Sequence, residues 1–156
     1  MSEIVTIDQI QKVTDEFLGR HWHLNQLDTT EVPAWKGPYS FFGNVPNGDK
    51  QGCYALINGN EVVYIGLGIS RGYGTYEGHG IGARLNNHVL KWDRNRPPKD
   101  KRRFYMPRKY WKDKLTGIHT IGFPRRYGYM ACALEAFLIS ELPIPLNIQS
   151  SSVASY

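Results

Sequence analysis

Residues 52 to 57 (GCYALI) and 61 to 66 (EVVYIG) are short runs rich in β-branched and aromatic residues, with Asn58-Gly59-Asn60 between them. This pattern predicts a β-hairpin, because Asn and Gly accept the backbone conformations a tight reversal needs. A hairpin cannot stand alone in water, so the rest of the chain must supply strands and helices to cover it. Loop length sets the register. If Asn58, Gly59 and Asn60 all belong to the loop, Ile57 faces Glu61 and Tyr54 stands opposite Tyr64, with Cβ atoms roughly 5 Å apart on one face. A two-residue turn shifts the pairing by one and sends the two rings to opposite faces. A site shared by both tyrosines requires the same-face arrangement, and that is the expectation.

The flanking sequence supplies the cover. Thr6 and Gln9 have capping-box spacing, and Ile7, Ile10, Val13 and Phe17 recur at helical intervals, predicting a helix over residues 7 to 18 that Gly19 ends. Residues 19 to 50 scatter Trp22, Trp35, Phe41 and Phe42 among Gly, Pro and Asn, which predicts an ordered arm with little regular structure. Residues 67 to 82 are glycine-rich and predict a loop. Leu85, Val89 and Trp92 predict a helix over 83 to 93. Residues 115 to 123 (LTGIHTIGF) predict a third strand, and 126 to 141 a helix halted before Pro143 and Pro145. The order predicts an α+β fold with a three-stranded antiparallel sheet flanked by helices. Its parts are an N-terminal helix and arm (1–50), a core (51–148) with a basic insertion (94–114), and a tail (149–156).

The chain has 156 residues and a formal charge of +5. One domain of this length buries a core without disulfide staples, and the positive balance favours anionic partners. Cys53 and Cys132 lie in apolar runs and read as buried hydrophobes, with no disulfide framework or zinc spacing. No signal-peptide pattern and no membrane-length apolar run is evident, so a cytoplasmic protein is expected.

Chemistry concentrates at a few positions. Arg84 and His88, four apart, share a helix face; Arg presents a planar, permanently charged fork that matches phosphate oxygens. Glu135 is the single charged residue in YMACALEAFLI. A helix so apolar is largely buried, and a carboxylate there needs a cation or an ion pair. Asn147 follows Pro143 and Pro145 and carries no signal alone.

Together these residues resemble the GIY-YIG nuclease superfamily. Gly52-Cys53-Tyr54 and Tyr64-Ile65-Gly66 look like its paired tripeptides, with Cys53 in place of the usual Ile. Arg84 matches the family's helical arginine, and His88 a histidine of its restriction-enzyme-like branch. Glu135 matches a glutamate on a later apolar helix, and Asn147 an asparagine after a proline-containing turn. Many members carry a lysine soon after the second tripeptide; Leu67 stands there, and Arg71 is a poor substitute.

The resemblance implies metal-dependent hydrolysis of DNA phosphodiester bonds, duplex DNA first. Glu135 would hold one divalent metal, Mg2+ or alternatively Mn2+. Tyr54 would be the base that activates water, its pKa lowered by Arg84. Tyr64 would orient the water or the phosphate, and Arg84 would stabilise the transition state. His88 would hydrogen-bond Tyr54 or share its proton, and Asn147 would hold neighbouring groups. Restriction-type members often act as homodimers.

Residues 94 to 114 contain ten Lys or Arg against Asp100 and Asp113, interleaved with Phe104, Tyr105, Tyr110 and Trp111. Arg94, Arg96, Lys101, Arg102, Arg103, Arg108 and Lys109, with Arg71 from the glycine-rich loop, are the expected nucleic-acid contacts. The aromatics either stack on bases or pack on the domain. Neither G-x-x-x-x-G-K-[ST] nor G-x-G-x-x-G occurs, so no nucleotide-phosphate fingerprint is present. The alternatives to a DNA endonuclease are a nucleic-acid-binding module of the same fold without catalysis, and an RNA-directed nuclease.

Overall fold

The computed structural model describes residues 4–69 and 80–148. Arg71, most of the glycine-rich loop and the tail lie outside them. Helix α1 (Ile7–His21) starts as the capping pattern requires: Thr6 Oγ1 accepts from Gln9 N at 3.3 Å, and Gln9 Oε1 accepts from Thr6 N at 2.9 Å. It runs past Gly19 instead of ending there. Gly19 is exposed, and a lone exposed helical glycine costs only about 1 kcal/mol, less than burial of Ile10, Phe17 and Leu18 returns.

The arm supplies a strand that the sequence did not announce. β1 (Trp35–Tyr39) pairs with β6 (Gly117–Phe123), β6 with β2 (Gln51–Asn58), and β2 with β3 (Glu61–Gly68). The sheet is therefore four-stranded and antiparallel, in the order β1-β6-β2-β3, not three-stranded. Gly37 and Pro38 hide β1, since both weaken a strand pattern; an edge strand tolerates them. The register slips between Lys36 and Tyr39, and a Cβ on Gly37 would come within 2.8 Å of the Ile118 carbonyl oxygen.

Helix α2 (Ile81–His88) stops before the expected end at residue 93. The chain turns extended at β4 (Leu90–Trp92), which pairs with β5 (Tyr105–Pro107). Arg108 accounts for this stop: its Nη2 donates to Asn86 O at 2.6 Å, its Nε to Leu90 O at 2.9 Å and its backbone N to Val89 O at 2.7 Å. A helix end leaves carbonyls without partners, and Arg108 satisfies that of Asn86 together with those of the two residues after the helix. Helix α3 (Tyr129–Glu141) follows a 3-10 turn over Arg125–Tyr127 and ends at Leu142, before Pro143.

Alternation along β2 divides the molecule into three layers. Cys53 and Ala55 face a core with α1 and α3, while Tyr54 and Leu56 face a second core with α2, Leu90 and Trp111. Among the described residues no helix is long and apolar enough to cross a membrane.

Candidate active site

The hairpin resolves its register in a way neither simple loop foresaw. Asn58 pairs with Glu61, so the turn has two residues, which alone would split the tyrosines across the sheet. A bulge follows at once: Ile57 pairs with Val62 but Leu56 pairs with Tyr64, leaving Val63 as the extra residue. Val63 and Tyr64 consequently both belong to the α2 side. One extra residue restores the parity that the short turn removed. Tyr54 and Tyr64 share a face as expected, as diagonal neighbours instead of a directly opposed pair, with ring centroids 6.3 Å apart.

Gly66 is the Cα partner of Tyr54, and a Cβ built on it would overlap the Tyr54 ring. The glycine that ends the second tripeptide thus leaves the space that the tyrosine of the first fills. Gly52 plays a similar part against β6, where a Cβ would overlap the Ile121 carbonyl. Trp111 is buried and lies 5.6 Å from the Tyr64 ring, walling one side of the site. From sequence alone Trp111 has no role beyond stacking or packing, because nothing in its spacing links it to a tyrosine far upstream.

Arg84, Tyr54, Tyr64 and Glu135 form one electrostatic cluster. Burial pushes the Tyr54 hydroxyl well above the ordinary tyrosine range, and Tyr64 adds to the rise. The positive charge of the Arg84 guanidinium opposes it, while Glu135 adds a smaller upward push. The expectation that Arg84 lowers the pKa of Tyr54 is therefore right in sign for that pair and wrong for the net effect. Desolvation exceeds the attraction of one partly hydrated cation. Tyr64 is raised by burial first and by Glu135 next, against Arg84. Glu135, from the opposite layer, is itself raised by burial, which outweighs the pull of Arg84. Its carboxylate makes no hydrogen bond or ion pair among the described residues.

His88 lies exposed one turn beyond Arg84 and makes no hydrogen bond to Tyr54. Asn147, 7% exposed, sits on a helical turn over residues 145–148. Its Oδ1 accepts from Ile65 N at 2.7 Å and its Nδ2 donates to Ile65 O at 2.9 Å. The side-chain amide thereby completes the free edge of β3 as another strand would, between Tyr64 and Gly66. It is a positioning residue. Asn147→Leu leaves two buried backbone groups unpaired and should cost about 3 kcal/mol in urea unfolding; a change below about 0.5 kcal/mol, the range of neutral surface substitutions, would refute that role.

The basic segment is ordered by its own aromatics. Arg94 and Arg103 lie over the Trp92 ring at 4.8 and 4.1 Å from its centroid. Arg96 covers Phe104 at 3.9 Å, Phe104 stacks on Phe42 at 4.6 Å, and Arg102 covers Phe42 at 4.6 Å. Stacking orders each guanidinium plane while its N–H edge stays available. Among the described residues only Arg102 of these four has a carboxylate nearby, Asp100 at 4.0 Å. Lys101 and Lys109 are exposed, whereas Arg108 serves the end of α2. Phe104 and Trp111 pack on the domain, and the exposed Tyr110 carries Lys114 over its ring at 3.8 Å.

Comparison of the chain with protein-family models, with curated proteins and with solved structures finds no match in any of the three.

Proposed function

We propose that this chain is a metal-dependent endonuclease of the GIY-YIG type that hydrolyses phosphodiester bonds in duplex DNA. The observation that carries the reading is the convergence of two tyrosine hydroxyls, a guanidinium and a desolvated carboxylate from four separate elements of the fold. Such a set, rich in groups with shifted pKa, is the usual mark of a reaction centre. The resemblance of the two tripeptides, Arg84, His88, Glu135 and Asn147 to that family adds the reaction class.

Glu135 suits a hard divalent cation. Its carboxylate has no protein partner at bonding distance among the described residues, and its burial makes it seek positive charge. A single carboxylate suits Mg2+, an ion that keeps much of its water and takes phosphate oxygens. When bound, such an ion supplies charge neutralisation at the scissile phosphate and the leaving oxygen. Arg84 presents its guanidinium to the same phosphate. Tyr54 accepts the proton of the attacking water through its Oη, and Tyr64 holds that water or a phosphate oxygen. Because burial raises Tyr54, its phenolate forms only when positive charge gathers in the site, so the base is active mainly with substrate and cation in place.

Tyr54→Phe removes one oxygen and little else. It should lower cleavage about 10²- to 10⁴-fold, the range of a lost general base, with the melting temperature essentially kept. Unchanged cleavage by this variant would sink the base assignment. Duplex DNA, single-stranded DNA and RNA assayed side by side test the substrate, and preferential cutting of RNA would select the RNA-directed alternative.

The stacked arginines support a phosphate-binding surface. Replacing Arg94, Arg96 and Arg103 together by alanine should weaken DNA binding and reduce the slope of log K against log salt by about 3, roughly one per lost phosphate contact. A parallel shift with an unchanged slope would mean that these side chains do not meet phosphates.

A further inference from the structure

A cavity of about 550 Å3 opens on the other side of α2 from Arg84. That is ample for a small organic ligand. Tyr39, Leu85 and Leu90, all buried, form its floor, and the half-buried Tyr105 a wall. Its rim carries Asn44, Asp49 and Asn86, all exposed, whose side chains make no hydrogen bond or ion pair among the described residues. A floor of Tyr39, Leu85 and Leu90 beneath unpaired amides and a carboxylate suits a nucleobase, with packing against its face below and recognition of its edge around it.

A second cavity of about 280 Å3 adjoins the first, sharing Gly43, Asn44 and Tyr105, and is lined by Lys101, Arg102 and Arg103. The two are held in fixed relation. Tyr39 Oη donates to Gly43 O at 2.7 Å, Gly43 N to Arg103 O at 2.9 Å and Tyr105 N to Phe41 O at 2.7 Å. One compartment thus fits a base and the next a phosphate.

We propose that these joined cavities bind a guanine nucleotide, the base over Leu85 and Leu90 and its phosphate against Lys101, Arg102 and Arg103. Guanine is selected by Asp49. An ionised carboxylate only accepts hydrogen bonds, with two oxygens, and guanine offers two adjacent N–H donors on its pairing edge where cytosine offers one amino group. The same chemistry serves a guanine extruded from a bound nucleic acid or a free nucleotide. The extruded source rests on reading the chain as a nucleic-acid enzyme; the pocket itself does not.

The test is a titration of the isotope-labelled full chain, in EDTA so that nothing turns over, with GMP, CMP and ribose 5-phosphate, followed by backbone amide shifts. GMP should move Asn44, Gly48, Asp49 and Asn86 saturably and bind about tenfold tighter than CMP, the scale of one good edge pair. Ribose 5-phosphate should move only Lys101 to Arg103. Asp49→Asn should erase the preference without unfolding the chain, since the side chain of Asp49 holds nothing in place. No shifts at the rim, or equal shifts with all three compounds, overturn the proposal, and either can occur whether or not the protein cuts DNA. The source is read from duplexes carrying guanine opposite an abasic site or opposite cytosine. Tighter binding of the unpaired guanine, lost in Asp49→Asn, identifies the extruded base; equal binding with the GMP preference intact identifies the free nucleotide.

Discussion

Glu135→Ala is expected to lower metal-dependent cleavage about a thousandfold, equivalent to roughly 4 kcal/mol of lost charge stabilisation, while DNA affinity measured without metal changes little. The carboxylate is desolvated yet, among the described residues, has only Arg84 to offset its charge. Its ionised form is thus costly in the metal-free fold, and the alanine variant should melt at the same temperature or higher near neutral pH. The pH dependence has a definite sign. The pKa of Glu135 is raised on folding, so the protonated form favours the folded state. That contribution is fully present below the unfolded-state pKa and is lost as pH rises through the raised value. Glu135→Gln should remove this part of the stability profile. Metal binding needs the carboxylate, so metal affinity should weaken as pH drops toward that raised pKa. Normal cutting by Glu135→Ala would show that the cation is held elsewhere.

Gly66→Ala is expected to be nearly as damaging, although it touches no reacting atom. The added methyl would overlap the Tyr54 ring, which is 3% exposed and cannot swing into solvent. Either β3 shifts or the ring does. Overpacking of this kind costs about 1–3 kcal/mol, and moving a catalytic oxygen by about 1 Å can lower cleavage about a hundredfold. Combining Gly66→Ala with Tyr54→Leu should recover stability but not activity, which separates the steric cause from loss of the hydroxyl. A Gly66→Ala protein with wild-type melting and cleavage would refute the account of why a glycine ends the second tripeptide.

What the sequence revealed and what it hid divide along physical lines. Local signals read well: the capping box of α1, the hairpin strands, the strand at 117 to 123, and an apolar helix carrying one carboxylate all occur. Nonlocal effects did not. β1 is a strand because β6 lies beside it, against the preference of Gly37 and Pro38. α2 ends at His88, where Arg108, distant in sequence, bonds the Asn86 carbonyl and those of Val89 and Leu90 just beyond. The same face for Tyr54 and Tyr64 follows from a bulge at Val63 that loop statistics do not encode. Residue types announced the charges of the site and the burial of Glu135 on its apolar helix, whereas the depth of burial that raises Tyr54 emerged only from packing. Asn147, mute in isolation, proved to be a backbone partner for Ile65.

The most direct test of the central claim is incubation of supercoiled duplex plasmid with the purified wild-type chain in Mg2+ and in excess EDTA. Cutting in Mg2+ that EDTA abolishes is expected, with discrete fragments if recognition is built into the arm and the basic segment. Cutting that persists in EDTA, or a protein that binds the plasmid and leaves it intact in every divalent metal tried, would contradict it.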